Sequence, residues 1–257
     1  MTLKRAFYGD FMLNSIITDD MFKAAASSTV RIEINPQDIR PAPEAVARYF
    51  GGPKYQMTSE THQRVCQGIQ QALGMVDPIV CYRAIPISEI EKACGIVLSE
   101  GTYADILPDS TDGHTRYFAV YVGTLGSALE SMCRDLASNN NIYQSLLLDS
   151  VGTAMLDAMG LICNDMLEMH SRQMDLFTGC RLGPGLNGIS LESQALLFDL
   201  LKEDSAGVYL NEAFIMQPAK SISGFVVYSD TAQRKPSGSK CLQCEMKHCQ
   251  FRSKKER

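Results

Sequence analysis

Tyr117-Phe118-Ala119-Val120-Tyr121-Val122 is an unbroken apolar run that closes on Gly123-Thr124-Leu125-Gly126. It reads as a strand, and a strand without polar alternation belongs in a sheet covered on both faces. Upstream, Pro78-Ile79-Val80-Cys81-Tyr82 and Ile85-Pro86-Ile87 read as strand material around a turn, and Gly95-Ile96-Val97-Leu98 is a further short apolar run. Arg31 to Ile34 alternates like a short strand and is broken by Asn35-Pro36. Pro43-Glu44-Ala45 opens a helix through Ala47, Tyr49 and Phe50 that Gly51-Gly52-Pro53 stops. Thr58 to Leu73 is a second helix, with Val65, Ile69 and Leu73 four residues apart and Thr58 or Ser59 as its N-cap.

Downstream, the longest element is a helix from about Ile142 to Met174. Leu146, Val151, Met155, Met159, Ile162, Met166 and Met169 make its apolar stripe, in which methionine reads as core filler. Ser190 caps a short helix through Leu191, Leu197 and Leu201. Val208 to Met216 and Phe225 to Tyr228 read as neighbouring antiparallel strands joined through Pro218 and a Ser-Gly segment. These elements predict three parts: an N-terminal extension of unassigned role (1–30), an α+β body (31–230), and a polar linker with a cysteine-containing tail (231–257).

The chain has 257 residues, 45% of them hydrophobic, enough to bury a core without staples. Twenty-four basic and twenty-nine acidic residues leave a net charge of −5, so no positive field recommends nucleic acid or an anionic membrane as partner. Of the nine cysteines, Cys66, Cys81, Cys94, Cys133, Cys163 and Cys180 are scattered through apolar or amphipathic segments and read as reduced core residues. No leader pattern opens the chain and no apolar run approaches the roughly 18 residues of a membrane span, so the cytoplasm is the expected location. His62, His114 and His170 have no acidic or cysteine partner at ligand spacing. The hydrolase elbow, the Walker loop and the dinucleotide fingerprint are all missing from the sequence.

Chemistry concentrates in Gly179-Cys180-Arg181-Leu182-Gly183-Pro184-Gly185-Leu186-Asn187-Gly188-Ile189-Ser190. Small residues let a ligand approach the backbone, and Arg181 is able to clamp a carboxylate through two parallel hydrogen bonds. The same stretch also reads as a structural loop with a solvated arginine. Farther on stands Val208-Tyr-Leu-Asn-Glu-Ala-Phe-Ile-Met-Gln-Pro218, followed by Ala219-Lys-Ser-Ile-Ser-Gly-Phe225. Together these stretches resemble the activation domain of cobalamin-dependent methionine synthase, in which an Arg-x-x-Pro-Gly loop and a helix precede a Leu-Thr-Glu-Ser strand, a proline and a Ser-Val-Ser-Gly segment. Phe118-Ala119-Val120 and Tyr143 to Ala158 are similar to the family as well. The resemblance covers Pro108 to Tyr228 well and Ile34 to Gly101 loosely, and the whole looks closer to stand-alone bacterial members than to the C-terminal module of the large enzyme.

The resemblance implies a curved, mostly antiparallel sheet surrounded by helices, with S-adenosylmethionine in a shallow groove beside the arginine loop. Arg181 matches the arginine that meets the ligand carboxylate, and Gly183 the small residue that contacts the ligand through its backbone. Asp157 and Asp175 match by spacing the two carboxylates near the sulfonium, where negative charge is favourable. Asp105 corresponds to a further ligand-contacting aspartate once a deletion is allowed. Leu186 stands where the family has tyrosine, and an aromatic pair is missing near Gln233 to Lys235; both departures bear on ligand affinity and on the corrinoid contact.

The implied role is accessory. The protein would dock on the corrinoid domain of a methionine synthase or related methyltransferase and present the methyl group, while cob(II)alamin held by that partner gains an electron from flavodoxin or ferredoxin. The rival reading is a non-enzymatic corrinoid-protein adaptor or electron-relay subunit.

In the tail, Cys241 and Cys244 are spaced to turn two thiolates toward one ion, and Cys249 or His248 adds a third ligand. A complete zinc or iron–sulfur site takes four ligands, so the tail is either an incomplete metal site or a redox-active or inert segment.

Overall fold

The structure is a computed structural model that describes residues 19–52, 54–90, 114–186, 189–202 and 204–232. Its centre is an antiparallel five-stranded sheet, for which we number strands and helices along the chain. The strands are β1 (Val30–Glu33), β2 (Ile79–Pro86), β3 (Thr115–Thr124), β4 (Phe177–Thr178) and β7 (Ser221–Ser229), in the order β1-β2-β3-β7-β4. The helices are α1 (Asp19–Ala25), α2 (Pro43–Gly51), α3 (Ser59–Leu73), α4 (Ala128–Ser138), α5 (Ile142–Gln173) and α6 (Gln194–Leu201). The α+β architecture with a curved antiparallel sheet agrees with the expectation from the sequence.

Side chains alternate across the three central strands, and both faces are dry. Val80, Tyr82, Ala84, Ala119, Tyr121, Val226 and Tyr228 enter one core with α2 to α5. Ile79, Cys81, Ile85, Phe118, Val120, Val122, Phe225 and Val227 enter a second core closed by Leu196, Leu197 and Leu201 of α6. The continuous apolar run at 117–122 follows from this double coverage. Stacked rings of Phe118 and Phe225, 4.8 Å apart, tie β3 to β7 in the second core.

The capping readings hold locally. Thr58 accepts a hydrogen bond from the Thr61 amide (3.2 Å) at the start of α3, and Ser190 accepts from Glu192 N (3.3 Å). Met155, Met159 and Met166 of α5 are fully buried, as core filler should be. One window of α5 is apolar and long enough to cross a membrane by composition, and 56% of that window is buried within the protein.

Three local readings are corrected. Ile79–Pro86 is one continuous strand paired with β3 from Ile79↔Thr124 to Pro86↔Tyr117, without the expected turn. Arg83, within that stretch, is carried inside at 4% exposure and donates to Leu200 O at 3.1 Å. Val208 to Met216 is not one strand beside 225–228. It folds on itself as β5 (Tyr209–Leu210) and β6 (Met216–Gln217), because the Asn211 side chain accepts from the amides of Ala213 and Ile215 (2.9 Å each) and turns the chain. The Ser221-Ile222-Ser223-Gly224 segment, read as a connection, is instead the first half of β7 and pairs with β3. Helix α4 went unread in the sequence, and α1 lies in the stretch given no element, where Ala25 is fully buried in the first core.

Candidate functional site

A groove of about 520 Å³ opens where α5, β7 and the arginine loop meet. The loop lies along the edge of β7: Leu182 and Phe225 exchange two backbone hydrogen bonds of 2.9 Å, and Gly179 N donates to Val227 O at 2.9 Å. Gly224 permits this approach, because a Cβ there would sit 2.7 Å from both Leu182 O and the Tyr121 hydroxyl. The Ser-Ile-Ser-Gly segment therefore needs its glycine for a close contact between strand and loop.

Arg181 crosses from this loop to α5, where its Nη1 donates to the Gly160 carbonyl at 2.9 Å. A Cβ on residue 160 would lie 2.9 Å from that nitrogen, so glycine keeps the passage open. The guanidinium also stands beside the Tyr121 hydroxyl. Burial pushes that phenol well above its ordinary value, and the neighbouring cation opposes the shift. Three residues before Gly160, on the same helical face, Asp157 also lines the groove and accepts a hydrogen bond from the Tyr49 hydroxyl of α2.

The other walls are backbone and apolar side chains. Gly183 lies in the loop floor, where a Cβ would come 3.4 Å from Ser223 O. Gln194, 2% exposed at the head of α6, donates to Ser223 Oγ at 2.9 Å. Leu156, Leu186, Leu191, Phe214 and Ile215 complete a largely apolar rim. The entry to β7 is clamped onto the helices: Lys220 Nζ meets Asp149 at 2.8 Å and Thr153 Oγ1 at 3.0 Å, while the Ala219 amide donates to Glu130 at 2.8 Å. The groove thus has a cation held by Gly160, a carboxylate held by Tyr49 and an apolar rim, while its serines, Ser221 and Ser223, meet Thr124 and Gln194 and no activating base among the described residues. Burial raises the nearby Cys163 thiol to about 12, leaving it protonated and inert.

Of the residues expected to form a site, the structure brings together Arg181, Gly183 and Asp157. Asp175 stands elsewhere: it is exposed just past the C-terminus of α5, roughly 25 Å along that helix from Asp157 at 1.5 Å per residue, and does not line the groove. Asp105 and the tail residues Cys241, Cys244 and Cys249 lie outside the described residues. Among the described residues no cluster of three or more His, Cys, Asp or Glu could hold a metal ion. Cys81, Cys133 and Cys163 are free and buried, while Cys180 is exposed and Cys66 half-buried.

Sequence reading missed Tyr49, Tyr121, Gly160 and Gln194. Gly160 had a signal, a glycine inside a long helix three residues after a candidate carboxylate. Tyr49 and Tyr121 come from elements remote in sequence and had none, and Gln194, in the helix that follows the loop, carried no pattern that marked it.

The family model described as vitamin B12 dependent methionine synthase, activation domain, matches residues 92–235. A solved structure, the MetH reactivation domain bound to AdoHcy, is similar with a TM-score of 0.56 at 12% identity, covering 85% of this chain and 88% of that one. At that identity the likeness concerns the fold. No curated protein matches the sequence.

Proposed function

The chain belongs to the family of vitamin B12-dependent methionine synthase activation domains, and from that premise we propose that it binds S-adenosylmethionine in the groove between Arg181 and Asp157. There it would support reductive methylation of cob(II)alamin held by a partner methionine synthase or related methyltransferase. The observation that carries this reading is the pairing of a guanidinium and a carboxylate across one groove walled by Gly183 and apolar side chains.

The donor set fits the molecule. Arginine has five N–H donors and Gly160 takes one, so Arg181 keeps donors for the ligand carboxylate. Asp157 supplies negative charge for the sulfonium. The bound ligand provides an electrophilic methyl group. The chain's own residues hold and orient it against an apolar rim; positioning of this kind needs no acid–base pair. The reductant would be flavodoxin or ferredoxin acting on the partner, and the compartment the cytoplasm.

The test mixes the protein with a corrinoid methionine synthase lacking an activation domain, S-adenosylmethionine and a one-electron reductant. Conversion of cob(II)alamin to methylcobalamin, followed by the visible spectrum, should be faster with the protein than without it. No acceleration with several partners, while S-adenosylmethionine still binds, would overturn the activator role. The rival, an adaptor or electron-relay subunit, draws support from exposed Leu186 standing where the family has tyrosine; failure of S-adenosylmethionine to bind in calorimetry would favour it. For the tail we propose zinc or iron bound by Cys241, Cys244 and Cys249. Protein free of metal after anaerobic purification and reconstitution would sink that proposal.

A further inference from the structure

Asp157 is exposed, and an exposed aspartate on a helix has several open rotamers. One hydrogen bond restricts this one, from the Tyr49 hydroxyl, which does not itself line the groove. Tyr49 belongs to α2, in a segment that precedes residues 92–235 matched by the family model. Helix α2 is pinned to α5 independently of that bond. Val46 is buried in the first core, and the Phe50 ring meets Tyr143 of α5 edge to face at 5.2 Å. The hydroxyl is thus delivered to Asp157 by a packed helix and not by a flexible loop.

We propose that Tyr49 is a positioning residue that holds the Asp157 carboxylate toward the groove, so that the site favours a ligand with a positive charge at that end. This rests on the S-adenosylmethionine reading above and adds the origin of discrimination between that molecule and its neutral thioether, S-adenosylhomocysteine. The hydroxyl occupies Oδ2 of Asp157 and leaves Oδ1 for a cation. Burial and the hydrogen bond to Asp157 push the Tyr49 phenol up to about 12, so it remains a proton donor throughout the neutral range. The two ligands share every group except the sulfonium methyl, and a carboxylate held near that sulfur acts on one of them by charge.

Calorimetric titration of the full chain with each ligand tests the proposal. Tyr49→Phe should weaken S-adenosylmethionine about threefold to tenfold, less than the loss of a hydrogen bond made to the ligand itself because Tyr49 acts only by orienting Asp157, and change S-adenosylhomocysteine less than about twofold. Asp157→Asn should show the same selectivity, and the double variant should be no weaker than Asp157→Asn alone, because both act through one carboxylate. The Asn variant also keeps the test open should Tyr49→Phe fail to fold. Parallel weakening of both ligands, unchanged S-adenosylmethionine affinity, or additive losses would each overturn the role of Tyr49. Wild-type protein that binds neither ligand would instead overturn the site reading beneath it.

Discussion

Arg181 reaches α5 through one bond to a backbone carbonyl, so its position depends on Gly160 and on the Tyr121 hydroxyl more than on any opposite charge. Removing the side chain deletes the donors proposed to meet the ligand carboxylate. Arg181→Ala should therefore weaken S-adenosylmethionine by about 1.5–3 kcal/mol, roughly tenfold to a hundredfold, with little change in melting temperature. Calorimetry beside a thermal melt checks both halves. A second residue-scale expectation concerns acid stability. Hydrogen bonds from His114 (2.9 Å) and Arg116 hold the exposed Asp230 carboxylate below its ordinary value of 3.8. A carboxylate depressed on folding adds stability above its unfolded value that disappears as pH falls through the folded one. Asp230→Asn should flatten the decline in melting temperature below about pH 4, by a modest amount because the group is solvated.

Strand β7 is the element on which the site is assembled. Its first half borders the groove, its middle carries the arginine loop along one edge, and its other edge pairs with β3 over nearly its whole length. Gly224 sits where these duties overlap. Gly224→Ala would place a methyl 2.7 Å from a backbone carbonyl that cannot move without lifting the loop. The cost should be about 1–3 kcal/mol in urea unfolding, and S-adenosylmethionine affinity should fall with it. An unchanged midpoint would mean that the loop is not braced on the strand. Helix α5 has the complementary role: one stretch of it carries Asp149 and Thr153 against Lys220, then Asp157, then Gly160 against Arg181. A single helix thereby carries the groove's carboxylate and the carbonyl that anchors its cation.

Two cores on opposite faces of one sheet leave the groove at the edge, where α5 and α6 do not close over β7. Its rim includes three exposed large apolar side chains, Leu186, Leu191 and Ile215, around the mouth that faces the methyl acceptor in the proposed function. Leu186→Asp should lower the partner-dependent methylation rate at least about tenfold while changing S-adenosylmethionine affinity less than threefold, since desolvating a charge at an interface is costly. Steady-state rates at varied partner concentration, with calorimetry as control, separate the two effects. Equal losses in both would place Leu186 in the ligand site and not on a docking face.

By itself the sequence determined what depends on neighbours along the chain. The Thr58 and Ser190 caps, the buried methionine stripe of α5 and the double-sided strand at 117–122 were legible, because hydrogen-bonding and burial periodicity act over a few residues, whereas the Arg181 loop and its Ser-Ile-Ser-Gly companion were legible only through their resemblance to a family. Tertiary structure decided whatever rests on contacts between distant segments. It set the course of Arg83 into the core, the folding back of 208–216 onto Asn211, the separation of Asp175 from Asp157 by half of a long helix, and the reach of Tyr49 across 108 positions to a carboxylate. Spacing along a chain constrains which face of one element a residue occupies. Which element comes to face it is set by how the apolar faces of all the elements are buried together, a sum that no single stretch contains.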